Sequence, residues 1–314
     1  MFQILWIRHA HSCGNAKEFS TESKLHKALH LQTLNPQLSD LGLMQIDQAA
    51  QALDDNGRTL SEFLERGVDL VCSSNMLRAI ETAFRLFPSE SKIHVLPYVG
   101  EKSYSELARR LKLDLENQPE NPDKTLARLT AMGYDASKVT YMHQIGGKPD
   151  LYEFISEVVL QHWLNPTSPN YLLRDRLMRQ KHQRPFRVAI VSHGNFIREM
   201  VTEHTVSTAG VWTAEPYYKP LHCQRSHYQP TESAIGNVGM LLMPVTTDAV
   251  KAFLRRKARL PAVHVVYETN AVYDPETGEC LEYDGKRFVL PHHGRKAHVV
   301  RCHPRIRAIK TLKA

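Results

Sequence analysis

Two apolar runs, Leu5-Trp6-Ile7 and Val188-Ala189-Ile190-Val191, lead straight into polar turns that carry a histidine. The turns are Arg8-His9-Ala10-His11-Ser12-Cys13-Gly14-Asn15 and Ser192-His193-Gly194-Asn195. A short apolar run without polar alternation suits a strand buried on both faces, the usual state of a strand in a parallel sheet. Ligand sites of open α/β sheets collect just beyond the carboxyl ends of such strands. Both histidines are therefore expected where chemistry usually takes place.

The rest of the chain supports a sheet of this kind. Strands are expected at Gln3–Ile7, Val68–Cys72, Ile93–Leu96, Arg187–Val191 and Val238–Met243. Leu41–Asp54 has apolar residues three and four apart behind Ser39 or Asp40 as N-cap, and Met76–Phe87 reads as a helix stopped by Pro88, with Arg78 in its first turn. Alternating strands and helices predict the α/β class, a three-layer α/β/α sandwich around a mostly parallel sheet. Residues from about 102 to 183 read as a helical insertion, with helical patterning at Ser103–Leu115, Lys124–Met132 and Asp150–Trp163 broken by prolines and glycines. The catalytic domain is expected to span 1–250. Residues 251–314 read as a small β-rich C-terminal addition, following a helix over Asp248–Arg259, with a strand at Val263–Tyr267, a hairpin around Asp284-Gly285 and a basic tail.

With 314 residues and 42% hydrophobic content, the chain can bury a sizeable core. No basic leader precedes the first strand, and no apolar run approaches the ~20 residues that cross a bilayer. A cytoplasmic protein without a membrane span is expected. The five cysteines, Cys13, Cys72, Cys223, Cys280 and Cys302, are odd in number and scattered, which does not resemble a disulfide framework and suits a reducing compartment. Cys13 lacks a clear partner base and reads as a packing residue rather than a nucleophile. The net charge of +7 is concentrated from Lys286 onward, where nine lysines and arginines follow and no Asp or Glu comes after Asp284. Such a tail suits an acidic partner, such as nucleic acid, a membrane surface or a polyphosphate, or else a solvated terminus.

Four segments, in order, resemble the histidine phosphatase superfamily, in its phosphoglycerate mutase-like branch. They are Arg8-His9-Ala10 with Asn15, Leu38–Gln45, Cys72–Ala83 with Arg78, and Ser192-His193-Gly194-Asn195. The insertion and the C-terminal region are unmatched. The resemblance implies phosphoryl transfer, which needs a nucleophile, a cationic cradle and an acid for the leaving oxygen. It makes His9 the nucleophile. Arg8 and Arg78 become planar forks for the phosphoryl oxygens, and His193 a further donor. Glu101, just after the third strand, becomes the proton donor, with Glu106 as substitute. Asn15, Ser12, Gly194 and Asn195 fall at positions that bind phosphate or shape the pocket. Cations around His9 are expected to keep it unprotonated. Two positions depart from the family pattern: Ala10 stands where glycine is commoner, and His11 where Glu or Gln is frequent.

The expected activity is hydrolysis of a phosphate monoester, independent of metal or cofactor. The alternatives are a phosphoglycerate mutase-type phosphotransferase, and a catalytically weak scaffold that binds acidic partners through the tail. The natural substrate and the oligomeric state stay open at this point. His9-x-His11 also resembles the metal pair of amidohydrolases, but that fold needs eight barrel strands, and neighbouring arginines repel a metal. Cys280, His292-His293 and Cys302-His303 match no common zinc spacing, and Gly146-Gly147-Lys148 lacks the full phosphate-loop pattern. Arginines without interleaved aromatic residues do not make a nucleic-acid domain.

Overall fold

The computed structural model describes residues 2–18, 34–101, 117–142, 149–169, 184–200, 204–205, 217–218, 237–267, 271–273, 280–283 and 288–289. Its main sheet contains β1 (Phe2–Arg8), β2 (Leu70–Ser73), β3 (Ile93–Val95), β4 (Val139–Tyr141), β5 (Phe186–Ser192), β6 (Met240–Val245) and β7 (His264–Tyr267), in the order β4-β3-β2-β5-β1-β6-β7. The neighbours from β4 through to β1 pair in parallel, while β6 and β7 are added antiparallel at one edge. The expected α/β sheet is present, and its five expected strands lie within two residues of the predicted bounds.

Strand alternation feeds two cores. Phe2, Ile4 and Trp6 of β1 pack on one face, with Phe154, Trp163, Phe196 and Phe253. Leu5 and Ile7 pack on the other, with Ile46, Leu64, Ala79 and Ala83. Buried on both faces, the strand has no polar alternation, which is why it reads as a continuous apolar run.

Helices cover both faces. They are α1 (Cys13–Glu18), α2 (Asp40–Gln51), α3 (Leu60–Gly67), α4 (Leu77–Leu86), α5 (Pro122–Ala131), α6 (Leu151–Glu153, continuing as the π-helical Phe154–Trp163), α7 (Gly194–Glu199) and α8 (Thr247–Leu254). Ser39 is the N-cap of α2, where its side chain accepts from the Gly42 N–H. The short helix α3 was not anticipated. Its signal is Thr59 three residues before Glu62, and the two form a reciprocal capping box. Met76 caps α4 without a side-chain bond. Instead the Leu77 N–H donates to Asn35 Oδ1, 42 residues away, at 2.8 Å.

Two parts of the organisation differ from expectation. The stretch read as a helical insertion contributes β4, a strand of the main sheet next to β3. The sheet also extends past residue 250, because β7 pairs with β6. Both strands are short edge strands, three and four residues long, with little periodicity to read. A separate antiparallel sheet holds β8 (Ala271–Tyr273), β9 (Cys280–Tyr283) and β10 (Phe288–Val289), and Asp284-Gly285, where a hairpin is expected, lies outside the described residues. Ser103–Leu115, Glu106, Gly146–Lys148 and the tail beyond residue 289 lie outside the described residues. Among the described residues, no helix is long and apolar enough to cross a membrane.

One close approach sets how α2 meets the first turn. A Cβ on Gly42 would lie 2.1 Å from the His11 carbonyl oxygen, a backbone atom that cannot step aside. Gly42→Ala must push α2 off the β1 turn, and we expect it to destabilise the fold by about 3 kcal/mol in urea unfolding. A loss under about 0.5 kcal/mol would contradict this packing.

Candidate active site

The site forms where β1 and β5 end. Their register pairs Ile7 with Val191 and Arg8 with Ser192, so the two turns leave the sheet side by side. The His9 N–H donates to the Ser192 carbonyl at 2.9 Å, and the His9 and His193 rings face each other with centroids 4.9 Å apart.

His9 is 3% exposed. Its Nδ1–H donates to the Ala10 carbonyl at 2.7 Å, which leaves the lone pair on Nε2. Arg78 Nε donates to that nitrogen at 3.3 Å. Arg78, in the first turn of α4, is itself only 2% exposed, and its Nη2 donates to Asn117 Oδ1 at 2.8 Å. Thr82, one turn along α4, accepts the Ala10 N–H at 3.1 Å and donates back to the Arg78 carbonyl at 2.7 Å. It thereby ties the histidine turn to the helix that carries the arginine.

On the β5 side, Ser74 Oγ accepts the Met76 N–H and lies 2.7 Å from His193 Nε2. His193 Nδ1 faces Glu101 Oε2 at 3.9 Å. Gly194 lies against Arg8, where a Cβ would come within 2.9 Å of the guanidinium Nε. His9, Glu101 and His193 each offer one atom within 4.8 Å of the others. Of the catalytic candidates, Arg8, His9, Arg78, Glu101 and His193 are brought into one cluster.

The remaining candidates are engaged locally. Asn15 Oδ1 accepts from both the N–H and the hydroxyl of Ser12, and Ser12 Oγ accepts the Asn15 N–H, so the pair caps α1. Asn195 Oδ1 accepts from Arg198 Nη2 at 2.8 Å. His11 is fixed onto α2: its N–H donates to Gln45 Oε1 at 2.8 Å, and its Nδ1 is 2.8 Å from Ser39 Oγ. Cys13 is disulfide-bonded, so the reading of scattered free thiols fails for this residue, and it has no thiolate to offer. Sequence reasoning missed Ser74, Thr82, Gln45 and Asn117. Ser74 and Thr82 lie inside the Cys72–Ala83 segment, in which Arg78 alone was assigned a role.

Burial holds His9 well below the usual imidazole range, with the Arg78 and Arg8 guanidinia adding to the effect in that order. The cations thus act as expected, but desolvation is the larger cause. His193 is lowered likewise, first by burial and then by Arg78, His9 and Arg8. Burial and then Arg8 push His11 down to about 3. Three neutral imidazoles beside two guanidinia make a pocket of positive potential. A metal ion at His9, Glu101 and His193 would have to displace Arg78 from the Nε2 lone pair and sit among these cations. The donor set favours an anion.

No protein-family model matches the chain, and no curated protein does. Solved structures with similar architecture include a phosphoserine phosphatase from Entamoeba histolytica, with 14% identity over 79% of this chain and 92% of that one at a TM-score of 0.33. An ecdysone phosphate phosphatase from Bombix mori has 11% identity over 78% and 90%, at a TM-score of 0.35. A mycobacterial glucosyl-3-phosphoglycerate phosphatase has 13% identity over 86% and 99%, at a TM-score of 0.36. Likenesses of this extent leave the chemistry to be read from the side chains.

The depressed histidines make stability depend on pH. Unfolded, each titrates near ~6.5; folded, each resists its proton, His11 down to about 3. Below the unfolded value the unfolded chain binds more protons, so stability is lost as pH falls, by up to about 1.4 kcal/mol per pH unit for each histidine. We expect His11→Asn to flatten that slope by about one proton between roughly pH 6 and 4 in urea unfolding. Parallel slopes for the two proteins would refute the assignment.

Proposed function

We propose that the chain is a metal-independent phosphomonoester hydrolase that works through a phosphohistidine on His9. The observation that carries this reading is the presentation of His9 Nε2. The Nδ1–H is held by the Ala10 carbonyl at 2.7 Å, burial and two guanidinia keep the ring neutral, and Arg78 stands 3.3 Å from the nucleophilic nitrogen. The sequence resemblance to histidine phosphatases leads to the same assignment.

The reaction proceeds in two displacements. His9 Nε2 attacks phosphorus, the P–O ester bond breaks, and Glu101 gives its proton to the departing alkoxide. Arg8 and Arg78 bind the equatorial oxygens in their planar forks, and the His193 Nδ1–H donates to another oxygen. Water then attacks phosphorus while Glu101 takes its proton, the N–P bond breaks, and orthophosphate leaves. Gly194 admits the Arg8 guanidinium, while Ser12, Asn15 and Asn195 shape the rim and supply donors to the phosphate.

Hydrolysis of p-nitrophenyl phosphate tests this reading. Activity should survive a chelator and disappear in His9→Ala, and Arg78→Ala should lower kcat by about a hundredfold or more. Acid quenching during turnover should trap an acid-labile, base-stable phosphoenzyme in the wild type only. Chelator-sensitive turnover would point to a metal instead, and turnover retained by His9→Ala would remove the intermediate. Gly194→Ala should displace Arg8 and reduce kcat/KM by about tenfold to a hundredfold with little change in urea midpoint. Unchanged kinetics would show that Arg8 does not depend on that contact.

A further inference from the structure

Beside helices α6 and α8 lies a cavity of about 430 Å³ that shares no lining residue with the His9 cluster. Three rings line it, Tyr152, His204 and Phe253, together with three cations, Arg256, Lys257 and Arg259. The volume falls within the roughly 300–1,000 Å³ of small-molecule sites.

The rings form a rigid platform. Tyr152 stacks on Phe253 with centroids 4.7 Å apart and planes 14° apart. His204 meets both edge-on, at 5.4 Å and 5.7 Å. Phe253 is anchored in the core, whereas Tyr152 is 37% exposed, the exposed large apolar side chain among the described residues. An aromatic ring held this way has little entropy left to lose when a second ring stacks on it.

One of the cations, Arg256, is held at some strain. Helix α8 closes with the Arg256 N–H donating to the Phe253 carbonyl and the Lys257 N–H to the Ala252 carbonyl. This double closure places its turning residue in the left-handed region that glycine favours. Here that residue is Arg256, at φ 56°. Among the described residues, the exposed side chains of Arg256, Lys257 and Arg259 make no ion pair or hydrogen bond. The helix dipole favours cations near this end, but it does not call for a strained arginine where glycine fits. Strain kept without a structural return marks ligand sites more often than chance places.

We infer that this cavity binds a nucleotide-class ligand: a planar base stacks on Tyr152, and its phosphates are held by Arg256, Lys257 and Arg259. The site is separate from the proposed catalytic centre and does not depend on that centre being a phosphatase. Calorimetric titration of the full chain with α,β-methylene-ADP, a non-hydrolysable probe, tests it. We expect Tyr152→Ala and Arg256→Gly each to weaken binding by about tenfold. Both should keep wild-type hydrolysis of p-nitrophenyl phosphate. Arg256→Gly should also raise Tm by about 2 °C, because glycine relieves the left-handed turn. Equal affinity in the wild type and both variants would overturn the proposal, as would no binding at millimolar probe. A fall in Tm for Arg256→Gly would overturn it too, by giving the side chain a structural task. Arg256-dependent binding of an RNA oligomer or of anionic vesicles without probe binding would replace the nucleotide with a macromolecular partner.

Discussion

The in-register parallel pairing of β1 with β5 governs the arrangement of everything around it. Because Arg8 pairs with Ser192, the next residue of each strand is a histidine, and the two turns diverge from adjacent points on one sheet edge. A shift of one residue would turn every side chain of the strand to the other face and exchange the two cores. Leu5 and Ile7 would then face Trp163 and Phe253, and Trp6 would face the small residues Ala79 and Ala83. The core therefore enforces the register, and the register brings the two imidazoles together.

Once the histidines are placed, the arginine must be brought to them against the cost of burying its charge. A guanidinium only 2% exposed is tolerated because its donors find Asn117 and His9, and because α4 is held from several sides. Glu81, three residues after Arg78 and fully buried, accepts the Leu38 N–H at 2.7 Å and the Tyr134 hydroxyl at 3.3 Å. Asn35 satisfies the first turn of the same helix. Positive charge concentrated in this way, beside imidazoles kept neutral, would be relieved by a bound anion, so the phosphate binding proposed above and charge burial would support each other.

The strand ends and the order of the motifs could be read in the sequence because they are local: an apolar run, then a turn. What could not be read depends on contacts between distant residues. The Ser74–His193 bond joins positions 119 apart and the Thr82–Ala10 bond positions 72 apart, and neither serine nor threonine advertises a partner. The edge strands β4 and β7 are recognised by what they pair with rather than by their own few residues. The depressed His9 was expected from the neighbouring arginines, yet burial is the larger cause there and at His193, and burial follows from packing that no local motif encodes.

Ala10 and His11, the two positions that depart from the pattern the sequence resembles, are both absorbed on the α2 side of the turn. The Ala10 methyl is fully buried in the cluster that holds Leu38, Ala79 and Ala83, so it adds packing where a glycine would leave space. The His11 ring meets Ser39, whose hydroxyl also caps α2 and donates to the His11 carbonyl. A glutamate or glutamine could not take up this arrangement without giving up the short ring-to-hydroxyl contact. The turn is therefore stiffened from beneath by one serine, and the histidine at position 11 serves the scaffold. Glu101 stands on the opposite side of the cluster, with its Oε2 3.9 Å from His193 Nδ1.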